Sequence, residues 1–254
     1  MNKWGVVALL SGLFLHAQSG FEPAVYTDRY GDLPYRILLP ENSSPEQKYP
    51  LIVVLHGAGE RGKDNRSQLK HGSDLFLEPV HRTKYPAIVV FPQCPKEHYW
   101  ATILERSGPE KFIYAAKPRK NPLQKQLIGL IKKIKKTHAV DPNKIYVGGL
   151  SMGGMGTFEL VYQRPRMFAA AFAICGGAHP KIAKKLRRPA WRIDHGEADE
   201  VVPFSLSKKM MEALTAHGAT VDFYPYPQVN HNSWERTFSD PSFLPWLFAQ
   251  RKGK

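Results

Sequence analysis

Two periods of hydrophobicity alternate along the chain. Leu51-Ile52-Val53-Val54-Leu55 is a continuous apolar run, the pattern of a central parallel strand covered on both faces. Short apolar runs of the same kind recur at residues 87–91, 145–148, 169–174, 191–194 and 221–224, and residues 24–30 and 33–39 read as edge strands. Between the strands the period lengthens. Leu123, Leu127, Leu130, Ile131 and Ile134 fall on one helical stripe, with Lys132, Lys133, Lys135 and Lys136 on the other side. An Asn121-Pro122 pair ahead of them suits an N-cap and first helical position. Residues 152–164 read as a second helix stopped by Pro165, and residues from about 204 to 217 as a third. Strands alternating with helices predict an α/β domain with a mostly parallel, eight-stranded central sheet and helices on both faces. No linker, repeat or low-complexity tract interrupts the pattern. Residues 95–120, rich in Lys, Pro and aromatics, are expected to cover one side of a site beyond the carboxyl ends of the strands.

Chemistry concentrates at one strand-to-helix junction, Gly149-Leu150-Ser151-Met152-Gly153. Glycines around a serine let a sharp turn hold it in a strained backbone with its hydroxyl exposed. A serine is a weak nucleophile at neutral pH, so it needs a base and a group to orient that base. Downstream, the loop after strand 191–194 offers Asp199 as the candidate acid, with Asp194, Glu197 and Glu200 as rivals. Asp194 belongs to the strand and Glu197 comes too early in the turn. The loop beyond the last strand, around Asn230-His231-Asn232-Ser233-Trp234, offers His231 as the candidate base. His195, at a strand end, reads as a structural hydrogen-bonding residue. His217, before Gly218, reads as a helix-end cation. His56 also reads as structural. An acyl carbonyl further needs two preorganised donors for its developing charge. The turn His56-Gly57-Ala58-Gly59-Glu60-Arg61-Gly62 follows the central apolar strand directly. One donor is assigned to the N–H of Met152 and the other to that of Ala58, with Gly57 as its nearest competitor. Glu60, Trp100 and Trp234 are candidate substrate-binding residues; the plainer expectation is a Glu60–Arg61 ion pair that fixes the loop, and core packing for the two indoles.

These stretches, with Phe91-Pro92-Gln93-Cys94-Pro95, resemble secreted bacterial α/β-hydrolases of the dienelactone-hydrolase-like or phospholipase/carboxylesterase group, some of them prolyl-oligopeptidase-like. The resemblance runs from about Tyr26 to the C-terminus. It implies the α/β-hydrolase fold, a Ser151–His231–Asp199 triad, hydrolysis of esters through an acyl-enzyme, and no metal or organic cofactor. A short-chain or polysaccharide-linked ester is the expected substrate. A serine peptidase and a non-catalytic basic binding protein on the same fold are the alternatives.

Composition agrees with a single globular core: 254 residues, 43% hydrophobic and 23% charged. The net charge of +14 bears on partners and solubility rather than fold. Part of it is the solvated lysine face already described, and a second cluster spans residues 181–188. Without aromatic interleaving or a recognisable module, a nucleic-acid partner is not expected. Lys3, the apolar stretch from Trp4 to Leu15 and Ala17 read as an export signal over residues 1–17, cleaved near Ala17 or Ser19. That leaves residues 18–254 as the catalytic domain, secreted or periplasmic and without a membrane anchor. In a strand order 1-2-4-3-5-6-7-8, Cys94 and Cys175 stand three strand spacings apart, roughly 14 Å, too far to bridge. Two unpaired or buried thiols are expected.

Overall fold

The structure is a computed structural model and describes residues 20–41, 43–44, 46–106, 112–118 and 121–253; the expected export signal lies outside them. The strands are β1 (Glu22–Asp28), β2 (Gly31–Leu38), β3 (Tyr49–Leu55), β4 (Ile88–Pro92), β5 (Ile103–Arg106), β6 (Phe112–Tyr114), β7 (Val140–Leu150), β8 (Ala170–Ile174), β9 (Ala190–Gly196) and β10 (Val221–Tyr226). Eight of them form one sheet in the order β1-β2-β4-β3-β7-β8-β9-β10, while β5 and β6 pair apart as a hairpin. β2 runs antiparallel to both β1 and β4, and every other pairing in the large sheet is parallel. This is the α/β-hydrolase architecture and the strand order expected. The helices are α1 (Ser73–Leu77), α2 (Pro79–Lys84), α3 (Pro122–Thr137), α4 (Met152–Gln163), α5 (Ala183–Leu186), α6 (Phe204–Ala216), α7 (Trp234–Ser239) and α8 (Phe243–Ala249). Among the described residues no helix is long and apolar enough to cross a membrane.

The run in β3 is apolar without interruption because its two faces feed two cores. Leu51, Val53 and Leu55 pack with the apolar stripe of α3 and with Phe158, Met210 and Leu214. Ile52 and Val54 pack on the other side with Phe76, Phe243, Leu244 and Leu247. Each fully buried side chain of this size contributes about 1.5–3 kcal/mol of transfer free energy. The side chain of Asn121 caps α3 by accepting from the N–H of Leu123 at 3.0 Å, and Pro122 occupies the first turn, where no N–H is needed.

Local patterning and structure part in three places. β7 starts at Val140 rather than 145 because Val140 still pairs with Tyr49 across a register shift, a tertiary contact that carries Asp141-Pro142-Asn143 along as strand. The first hairpin turns at Asp28 instead of Tyr30, where Gly31 takes φ +103°. Residues 95–120 contain the β5–β6 hairpin, whose short antiparallel pairing has no local signature of its own.

Candidate active site

β7 delivers Ser151 to the carboxyl end of the sheet, and α4 begins at the next residue. Ser151 adopts φ +52°, ψ −116°, a left-handed conformation costing of order 1–3 kcal/mol for a residue with a side chain. Packing enforces it. The N–H of Ser151 donates to the carbonyl of Ile174 at 2.8 Å, and a Cβ on either Gly149 or Gly153 would run into the carbonyl of Leu55. The two glycines thus let α4 close onto β3, which tips the serine hydroxyl out of the turn.

Ser151 Oγ lies 2.9 Å from His231 Nε2, and His231 Nδ1 lies 2.8 Å from Asp199 Oδ2. With a carboxylate opposite Nδ1, that nitrogen carries the proton and Nε2 is left to accept from the serine. Burial by itself would raise the Asp199 carboxyl, but bonds from His195, His231 and the Val202 N–H hold it well below the usual carboxylate range. Its Oδ1 takes the N–H groups of Val201 and Val202, each at 2.8 Å. Its Oδ2 is shared between His231 and the fully buried His195, whose Nε2 stands 3.0 Å away. His195 Nδ1 meets Ser207 Oγ, which donates to the Gly176 carbonyl, so His195 has the structural role expected of it. The rival acids stand elsewhere. Asp194 is buried against Arg192 at 3.0 Å and accepts the Tyr226 hydroxyl at 2.8 Å, while Glu197 and Glu200 are exposed. His217 is exposed at the end of α6.

The loop after β3 lies beside the serine, since β3 pairs directly with β7. Cys94 N–H donates to His56 Nε2 at 2.9 Å, and His56 Nδ1 lies 2.6 Å from the Gly57 carbonyl. Burial pushes the His56 imidazole down to about 4, so the ring is a neutral brace tying the ends of β3 and β4 together. Gly57, Ala58 and Ser151 line a pocket of about 230 Å³, closed by Tyr99, Phe112 and Trp234. Met152 opens α4, where first-turn N–H groups lack an intrahelical acceptor. Cys175 Sγ, an Asp199 oxygen and a His231 nitrogen all lie within 4.8 Å of one another. Burial drives the Cys175 thiol upward, so it stands there protonated, a poor partner for a cation.

The family model for phospholipase/carboxylesterase proteins matches residues 41–243. The chain belongs to that family. A solved thermostable esterase superposes with a TM-score of 0.83 at 32% identity, over 93% of this chain and 64% of that one. Mouse (Mus musculus) lysophospholipase-like protein 1 is 24% identical over 195 residues, 71% of this chain and 79% of its own length. A bifunctional acetylxylan esterase/xylanase of Neocallimastix patriciarum is 36% identical over 76 residues, 30% of this chain and 11% of its own. The chain is thus a carboxylesterase- or thioesterase-type hydrolase on the α/β-hydrolase fold.

Several expectations for this esterase need correction. Trp100 does not line the pocket: it is fully buried, donates its indole N–H to the His56 carbonyl at 3.2 Å and sets its ring edge on His56. It roots the covering segment. The Glu60–Arg61 ion pair is not formed. Glu60 is buried at the pocket floor and faces His71 Nε2 at 3.6 Å, whereas Arg61 turns to the carbonyls of Ala58, Lys96 and His98. Trp234 does line the pocket, edge-on to His231, and its buried indole N–H has no acceptor among the described residues. Tyr99, Arg106, Phe112 and His71 were not foreseen as lining residues. Three of them come from the covering segment, whose aromatic enrichment was the available signal. Cys94 and Cys175 are both unpaired and buried, as expected.

Proposed function

We propose that Ser151, His231 and Asp199 act as a catalytic triad in two-step acyl transfer to water. His231 takes the Ser151 proton as the oxygen attacks the ester carbonyl, then hands it to the departing alcohol. Asp199 holds the imidazole tautomer and balances its charge. The N–H groups of Ala58 and Met152 receive the tetrahedral oxyanion, with Gly57 as the alternative to Ala58. Water then repeats the sequence on the acyl-enzyme and frees Ser151. No step draws on a metal or organic cofactor. The observation that carries this reading is the unbroken relay at 2.9 Å and 2.8 Å from Ser151 to Asp199.

We infer a short-chain or polysaccharide-linked ester as substrate. At about 230 Å³ the pocket is smaller than the roughly 300–1,000 Å³ of sites that enclose drug-sized ligands. That size suits an acetyl group or a single aromatic acyl between Tyr99, Phe112 and Trp234, and it accords with the acetylxylan esterase relative. Trp234 and Glu60, both lining the pocket, are the residues that would contact the substrate. The reading also includes export through residues 1–17, to the periplasm or outside the cell. The test is fluorophosphonate labelling followed by a nitrophenyl and acetylated-xylan ester panel. Wild type takes the label on Ser151 and turns over acetyl esters, and Ser151→Ala loses both, with turnover down by about three orders of magnitude or more. A wild-type protein that is neither labelled nor active overturns the triad. Labelling with cleavage of peptides but no esters overturns the substrate class.

A further inference from the structure

At the end of the sheet opposite Ser151, where connections enter the amino ends of β8 and β9, the chain forms an open cleft of about 620 Å³. Eight of its eleven lining residues are Lys or Arg and none is acidic. They come from four separate places: Lys135 near the end of α3, Arg164 and Arg166 after α4, the stretch containing Lys184, Arg187 and Arg188 around α5, and Lys252 near the C-terminus. Among the described residues no carboxylate lies within ion-pairing distance of any of the eight. Folding therefore gathers like charges that repel one another. Burial and the nearby Lys135 charge pull the Lys252 ammonium below its usual range, against the opposing charge of Asp141. A buried Gln163 side-chain NH₂ at the same cleft also lacks a partner. Clustered cations with no carboxylate partner, beside a neutral donor without an acceptor, describe a surface awaiting an anion.

We propose that this cleft docks an acidic polysaccharide through its uronate carboxylates, holding the esterase on a polymer while the Ser151 pocket works at the opposite end of the sheet. The anion site stands by itself; the choice of a sugar polymer rests on the carbohydrate-ester reading above. Guanidinium forks pair bidentately with carboxylates, and charges spread over so open a cleft match a repeating anion better than a single small one. Other polyanions fit less well. The apolar lining is only Pro165 and Met167, too little to insert into a lipid surface. Among the described residues no aromatic side chain lines the cleft, and the neighbouring Tyr162 ring carries the Lys185 ammonium at 4.3 Å, so the cleft offers no stacking platform for single-stranded bases.

Titration of the full chain with de-esterified polygalacturonate tests this, beside duplex DNA and phosphatidylglycerol vesicles at equal salt. Binding to polygalacturonate is expected to weaken as NaCl rises. It should fall by about tenfold or more in a variant carrying Arg164→Gln, Lys184→Gln, Arg187→Gln and Arg188→Gln, with nitrophenyl acetate hydrolysis unchanged as the check on folding. A second variant, Arg164→Lys with Arg187→Lys and Arg188→Lys, keeps the charge but loses the guanidinium forks, and should bind more weakly than wild type and more tightly than the glutamine variant. No binding by wild type, equal binding by the glutamine variant, or tighter binding to DNA or vesicles overturns the proposal. Polygalacturonate binding by a protein without esterase activity would instead sink the triad reading and leave the cleft standing.

Discussion

Asp199 accepts from two imidazoles on one oxygen and from two backbone N–H groups on the other, so its ionised form is the one the fold is built around. A carboxyl held below its unfolded value contributes stability that is fully present above that value and fades as pH falls through the lower folded one. Asp199→Asn should therefore lower stability near neutrality, and the loss relative to wild type should shrink below about pH 4, as followed by urea unfolding across pH. An amide also places a donor where His231 or His195 needs an acceptor, so kcat should fall by about 10⁴. A variant with wild-type acid sensitivity and near-normal kcat would remove Asp199 from both roles.

At the level of elements, α4 is buried along nearly its whole length, and Glu159 on it reaches the covering segment. Its carboxyl accepts the Thr102 N–H at 2.6 Å and the Thr102 hydroxyl at 3.0 Å. Burial raises it to about 7, against the pull of those two bonds. For an acid raised on folding, the folded state holds the proton longer, so stability declines as pH climbs from the unfolded value of about 4.3 to about 7. The slope contributed by one proton is at most about 1.4 kcal/mol per pH unit. Glu159→Gln should remove that decline, which denaturant unfolding across this range would show. An identical slope in the variant would mean that the carboxyl titrates normally.

For the whole molecule, the two thiols and the charge distribution carry separate expectations. Cys94 is pushed up to about 12 by burial, and burial drives Cys175 upward too. Neither should react with iodoacetamide in the native state, both should react after unfolding, and reductant should leave Tm unchanged. Rapid native alkylation of Cys175 would mean that the floor beneath His231 opens readily to solvent. Charge is segregated as well: the cleft at the amino ends of the strands holds eight lining cations, whereas the Ser151 pocket mixes Arg106 with Glu60 and two histidines.

The apolar periods were sufficient by themselves to announce the eight strands of the sheet and the helices α3, α4 and α6, because burial on two faces or one stripe leaves a local imprint in residue order; the glycines around Ser151 marked the elbow. Ser151, Asp199 and His231 could be named for a similar reason: each sits in a short loop directly after a strand or before a helix whose type the pattern announces. Tertiary structure decided what long-range packing controls. It buried Asp194, which the sequence had already set aside as a strand residue, against Arg192, turned Arg61 away from Glu60, drew Trp100 into the core and brought Tyr99 and Phe112 to the pocket. It also gathered cations from four distant stretches into one cleft. Those outcomes depend on which surfaces meet across tens of residues, and residue order carries no local record of that.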